Sequence, residues 1–116
     1  MKFTESLKKN RQFRAVYKNG CSYANKLLVV YVLKNDSEIN RLGLSVSRKV
    51  GNSVTRNRVS RLIKESYRLR ESLVKPGFDI VVIARAESAG RAFDAVSGSL
   101  WGLLRRAGAL RAEQDS

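Results

Sequence analysis

Residues 44–65 read LSVSRKVGNSVTRNRVSRLIKE, and three kinds of backbone succeed one another within them. Leu42, Leu44 and Val46 alternate across 41–47, a period of two that predicts a half-buried strand. Gly51-Asn52-Ser53 then breaks the pattern and offers Asn52 or Ser53 as a helix cap. Val59, Leu62, Ile63 and Ser66 recur on one face at 100° per residue, with Leu69 and Leu73 near it, which predicts a helix over 53–72. Arg61, Lys64 and Arg68 fall on the opposite side.

Upstream, residues 1–9 read as a loose basic lead-in, and Asn10 can cap a short helix ended by Gly20, with Phe13, Val16 and Tyr17 on its apolar face. Density of β-branched and aromatic residues from Ser22 to Leu33 predicts one or two strands with an irregularity at Asn25-Lys26. Residues 34–40 form a polar turn. Downstream, 76–84 reads as a turn and a buried strand. Phe93, Val96, Leu100 and Leu103/Leu104 then mark a helix over 89–107, weakened by Gly98 and Gly102, before a flexible polar tail at 109–116. Helix, β-rich segment, helix, strand, helix is the order of an α+β sandwich, one domain over 1–116 with helices against a small sheet.

Composition narrows the function. The 116 residues carry 23 Lys and Arg against 10 Asp and Glu, a net charge of +13, while 43% hydrophobic content supports a folded core. Such an excess repels itself in the compact state unless a polyanion relieves it. Nucleic acid is the first candidate and an anionic membrane surface the second. A single cysteine, Cys21, fits a reducing compartment and reads as a small apolar residue. No secretory signal is visible, and the longest apolar run, LLVVYVL at 27–33, falls far short of the ~20 residues a membrane helix needs. These features predict a soluble, cytoplasmic protein.

Catalytic apparatus is what the sequence lacks. With no histidine and one cysteine, it can form neither a Ser-His-Asp or Cys-His arrangement nor a Cys/His zinc cluster. Phosphate-cradling GxxxxGK[ST] and GxGxxG loops are absent, and no two carboxylates stand at a spacing that suggests acid–base or two-metal work. No catalytic residue and no metal ligand is predicted on the chain.

Positive charge is instead concentrated. Residues 41–70 hold nine Lys and Arg (Arg41, Arg48, Lys49, Arg56, Arg58, Arg61, Lys64, Arg68, Arg70) against Glu65 alone. A merely solvated helix face would interleave glutamate with lysine. Here arginine dominates, the side chain that forks onto phosphate oxygens. Asn57, between two arginines, can both donate to and accept from a sugar or base edge. The GNS turn adds free backbone N–H groups at the positive end of the helix dipole, although Gly51 serves equally as a plain connector. Phe13, Tyr17 and Tyr31 admit two readings: core residues, or a partly open groove where single-stranded bases stack on rings.

With the 44–65 segment in view, the chain resembles the protein component of bacterial ribonuclease P, whose hallmark is an Arg-Asn-Arg helix after a Lys-(Val/Ile)-Gly-Asn turn. LKKNRQFRAVYKNG at 7–20, the strand ending at Tyr31 and DIVVIAR at 79–85 fall in that family's order, so the resemblance covers nearly the whole chain. It implies an α-β-β-β-α-β-α two-layer sandwich like the second domain of ribosomal protein S5, with a left-handed βαβ crossover. It also implies a division of labour. A large catalytic RNA, holding magnesium ions, hydrolyses the 5′ leader from precursor tRNA, while one protein subunit per RNA binds that RNA and the leader. By the same resemblance Arg56, Asn57, Arg58, Arg61, Lys64 and Arg68 face the catalytic RNA. Phe13, Tyr17 and Tyr31 line the leader cleft, with Arg48 and Lys49 on its basic rim. Ser60 and Ala86 depart from the family pattern, each standing where lysine is common. Two other classes share the charge and size, a ribosomal or ribosome-assembly protein and a DNA-compacting protein. The 44–65 motif favours ribonuclease P over the first, and an aromatic groove would have no purpose in the second.

Overall fold

The alternation around 41–47 does form a strand, and it lies inside a five-stranded sheet, one strand more than the four the resemblance implied. The computed structural model describes residues 1–111. In chain order they form β1 (Thr4–Ser6), α1 (Asn10–Asn19), β2 (Cys21–Ala24), β3 (Leu28–Lys34), β4 (Asn40–Ser45), α2 (Ser53–Leu69), β5 (Phe78–Ala84) and α3 (Phe93–Arg106). The five strands make one mixed sheet in the order β1-β4-β5-β3-β2. β4 runs parallel to β1 and β5, whereas β3 runs antiparallel to β5 and β2.

Side-chain alternation sorts this sheet into two unequal faces. Leu28, Val30 and Val32 of β3, Leu42 of β4, and Phe78, Ile80 and Val82 of β5 point to one side. There they meet Val59, Ile63 and Tyr67 of α2 and Val96, Leu100, Trp101, Leu103 and Leu104 of α3, which together make the main core. The intervening residues point the other way, where α1 covers only part of the sheet. Leu7, Val16 and Val81 form a small second core, with Phe13, Tyr31, Leu33 and Ile83 packed against it. One face is sealed and the other is half open.

The N-terminal lead-in is not loose. Thr4–Ser6 pairs with Asn40–Leu42 as an edge strand. Three polar-leaning residues carry no periodic signal, and distant partners hold them instead. The buried Glu71 carboxylate accepts the N–H groups of Lys2 at 2.7 Å and Phe3 at 3.2 Å. Thr4 Oγ1 and the Tyr67 hydroxyl share a 3.0 Å hydrogen bond, and the Tyr67 ring stacks on Trp101 with centroids 6.1 Å apart. The observed order is therefore β-α-β-β-β-α-β-α, with a strand ahead of the expected first helix.

The start of the tail is also held. Ala109 is buried and accepts from Lys75 N–H at 2.8 Å, and Leu110 bridges Val74; the rest of the expected flexible tail, 112–116, lies outside the described residues. α2 ends at Leu69, earlier than the period predicted, and a 3-10 turn over Glu71–Leu73 follows. Leu69, the last helical residue, lies at the margin of the apolar face and is exposed, and Leu73, beyond the loss of helical phase at Arg70, is exposed as well. Among the described residues no helix is long and apolar enough to cross a membrane.

Candidate nucleic-acid interface

The turn before α2 positions the basic helix. Gly51 takes φ of +152°, with Thr55 so close that an added Cβ would lie 3.0 Å from its side chain. Asn52 then caps the helix, its Oδ1 accepting the Thr55 N–H at 2.9 Å, as the sequence suggested. Val59, Ile63, Ser66 and Tyr67 point into the core. That anchorage forces Asn57, Arg61, Lys64 and Arg68 into an exposed stripe at i, i+4, i+7 and i+11, flanked by the half-buried Arg56 and Arg58.

These cations are held in different ways. Arg58 Nη1 donates to the Arg91 carbonyl at 3.1 Å, which fixes the guanidinium and leaves its charge uncompensated. Arg56 Nε is buried with no hydrogen-bond partner among the described residues. Arg61 and Lys64 form no ion pair with any described carboxylate. Arg68 is the exception. It forks onto Glu65, Nε donating at 3.0 Å and Nη2 at 2.5 Å. That hydrogen bond lowers the Glu65 carboxyl pKa below its ordinary value and raises that of Arg68. Its charge is answered within the helix, so Arg68 stands apart from the others.

The aromatic residues meet on the half-open face. Tyr17 stands edge-on to Tyr31 with centroids 5.1 Å apart, and Phe13 lies 6.4 Å from Tyr17. Val16 is the fully buried residue of α1, while Phe13 and Tyr31 are half-buried and Tyr17 is 38% exposed. Phe13 and Tyr31 thus pack against the second core while keeping part of each ring open, and Tyr17 is the exposed member of the three. Tyr31, Val81 and Gly43 share one cross-sheet row, and Ile83 and Ser45 lie two residues further toward the exposed Arg48 and Lys49.

The two surfaces touch at an open sheet edge. β1 stops pairing at Leu42, so Gly43–Ser45 lack a strand on that side. A cavity of about 410 Å³ lies there, with Phe13, Gly43, Leu44 and Lys64 in its wall. Lys64 of the basic helix and Phe13 of the aromatic group thus line one depression. Gly43 is a participant that sequence reasoning missed. An added Cβ would fall 2.6 Å from Phe13 Cζ, so the absence of a side chain is what lets the ring lie on the sheet. A glycine inside an alternating strand was the available signal for such a close approach. Arg85, also missed, donates from Nη1 to the Asn25 carbonyl at 2.9 Å.

An exposed arginine-rich helix beside half-open aromatic rings can bind a phosphate backbone and stack bases. It presents no nucleophile–base pair, and the described residues contain no cluster of three or more Asp, Glu or Cys able to hold a metal. The Ribonuclease P family model matches residues 1–108. The ribonuclease P protein component of Lachnoclostridium phytofermentans is 58% identical over 102 residues, 88% of each chain. That of Clostridioides difficile is 54% identical over 104 residues, 89% of this chain and 91% of its own. Among solved structures, the RNase P protein of Staphylococcus aureus superposes with a TM-score of 0.84 at 37% identity, covering 91% of this chain and 97% of that one. The Thermotoga maritima protein gives 0.81 at 36% identity, covering 88% and 96%. On sequence and on fold alike, this chain belongs to the bacterial ribonuclease P protein family.

Proposed function

We propose that this chain, as the protein subunit of the endoribonuclease that removes 5′ leaders from precursor tRNA, grips RNA through two adjoining surfaces of different chemistry and leaves bond cleavage to the catalytic RNA. Arg56, Asn57, Arg58, Arg61 and Lys64 take the catalytic RNA, with Arg68 weakened by Glu65. Phe13, Tyr17 and Tyr31 take the single-stranded leader, and Arg48 and Lys49 hold its phosphates at the rim.

One observation carries this reading: the outward stripe of α2 meets no described carboxylate until Arg68, so its charge awaits a polyanion. Magnesium belongs on this reading to the RNA, which supplies the metal-ion chemistry, while the protein positions substrate and neutralises phosphate. One chain per RNA, a cytoplasmic setting, a single domain over the full length and a left-handed β4-α2-β5 crossover complete the proposal.

Paired substitutions test the division. Tyr17→Ala is expected to weaken precursor binding by the holoenzyme, by about 1–3 kcal/mol if one base stacks there, with mature tRNA binding unchanged. Arg58→Ala is expected to weaken assembly with the RNA subunit instead. Equal loss of both properties in both variants would refute two faces.

A further inference from the structure

Several arginines outside α2 are tethered in the way Arg58 is, to carbonyl oxygens. Arg85 Nη1 donates to the Asn25 carbonyl at 2.9 Å and Arg106 Nη1 to the Ala24 carbonyl at 3.0 Å. Arg91 Nε donates to the Glu87 carbonyl at 3.1 Å. A carbonyl fixes the plane of a guanidinium without cancelling its charge, and most of the fork's N–H donors stay available. Arg41 shows the contrast, since Asp79 accepts from its Nε at 2.7 Å and its Nη2 at 2.8 Å.

The Arg85 and Arg106 tethers converge on the β2–β3 turn, which is built to be rigid. Asn25 Oδ1 accepts from the N–H groups of Leu27 at 3.1 Å and Leu28 at 3.0 Å, and from Ser99 Oγ at 2.7 Å. Asn25 Nδ2 donates to the Ser99 carbonyl at 3.1 Å, locking the turn to α3. Lys26 is exposed at the tip, and Arg106 lies 6.0 Å from the centre of the Tyr23 ring. Among the described residues the one carboxylate in contact with this group is Glu87, 3.9 Å from both Lys26 Nζ and Arg91 Nη2 and more than half exposed. Pairs that long and that wet contribute little. Four cations thus face one weakly engaged anion. Cross-strand register sets Ala24 in line with Val29, Ile83 and Ser45, so the turn lies at the sheet end where Arg48, Lys49 and the start of α2 also emerge.

We propose that Lys26, Arg85, Arg91 and Arg106 form a second phosphate-binding surface around the β2–β3 turn, continuous with the arginines of α2. It takes an RNA backbone, by charge and by fixed guanidinium forks, without reading sequence. Repulsion among neighbouring cations is relieved when a polyanion lies across them. The proposal rests on the reading of this chain as an RNA-gripping subunit. It adds a surface that neither α2 nor the aromatic cleft includes. The phosphates can come from the catalytic RNA or from the precursor, and separate binding arms distinguish them.

The test is the full chain carrying Arg85→Gln and Arg106→Gln, reconstituted with the catalytic RNA, beside Arg58→Gln as a control. Affinity for the catalytic RNA, and holoenzyme affinity for precursor tRNA, are measured across a salt series. The double variant is expected to flatten the slope of log K against log[salt] by roughly 1–2 in the arm whose RNA crosses the turn, at about 0.7–0.9 per lost phosphate contact. Arg85→Lys with Arg106→Lys restores the slope if charge is what matters. A structural role would leave the lysine pair impaired and would instead lower the unfolding midpoint. Unchanged slopes for the glutamine pair in both arms overturn the proposal. With a flattened Arg58→Gln control, the turn surface alone falls; with an unchanged control, the α2 interface falls too.

Discussion

Gly43→Ala is a one-carbon change that interrogates the aromatic cleft without touching any charge. The added Cβ would lie 2.6 Å from Phe13 Cζ and 2.8 Å from Cε1, where carbon–carbon contacts settle at about 3.5–4.0 Å. The ring tip must therefore retreat by about 1 Å. Backbone conformation at Gly43 poses no obstacle, because its φ is not in the left-handed region. If the ring stays and strains the site, overpacking costs about 1–3 kcal/mol of stability. If the half-buried ring swings outward, a stacking platform worth on the order of 1–3 kcal/mol per base is lost. Holoenzyme binding to precursor and mature tRNA, with urea unfolding in parallel, separates these outcomes. The expected result is about a tenfold loss of precursor affinity, the equivalent of 1.4 kcal/mol, with mature tRNA unaffected. In a Phe13→Ala background most of the effect should vanish, leaving only the 3.1 Å approach to Leu7 Cβ. Additive effects, or an unchanged preference for the leader-bearing RNA together with an unchanged unfolding midpoint, would refute this packing.

Two further outcomes can be checked with simple variants. Arg61→Gln should flatten the salt dependence of catalytic-RNA binding by roughly 0.7–0.9, whereas Arg68→Gln should flatten it less, because Glu65 already answers its charge. Equal losses would show that the Glu65 fork opens on RNA. Burial raises the pKa of the Tyr67 phenol, so the folded state favours its neutral form. Its stabilising contribution is complete below the ordinary tyrosine value of about 10 and is lost as pH climbs through the raised one. Tyr67→Phe, which keeps the ring against Trp101, should lose a little stability at neutral pH and show a shallower alkaline decline in the urea midpoint. Parallel declines in the two proteins would contradict this.

The parts of the fold legible in the sequence were those where one physical requirement acted locally. The 3.6-residue apolar recurrence placed α2 and its outward cations, and Asn52 was one of the two caps the turn offered, beside Ser53. β1 was invisible because a three-residue edge strand of TES has no apolar period of its own. It exists through Glu71 and Tyr67, 69 and 63 positions away from their partners in sequence. Tyr67 itself escaped notice in the long helix, since its burial depends on Trp101 and Thr4 arriving from other elements. The candidate site divided in the same way. A one-sided charge pattern is a property of sequence, so the arginine helix could be read directly. Whether Phe13, Tyr17 and Tyr31 were sealed or half open could not, because α1 covers only part of its sheet face and no local pattern encodes that coverage. Which arginines are neutralised was equally hidden. Arg41 meets Asp79 across parallel strands, while Arg85 and Arg106 find carbonyls on a turn far away in the chain.

The most direct test of the division between a gripping protein and a cutting RNA is cleavage of a 5′-labelled precursor tRNA at low magnesium. Three reactions suffice: the chain alone, the cognate catalytic RNA alone, and the two together. The expected result is no cleavage by the RNA-free chain and a much faster release of leader by the pair than by the RNA alone. Leader release by the chain freed of all RNA would contradict the account.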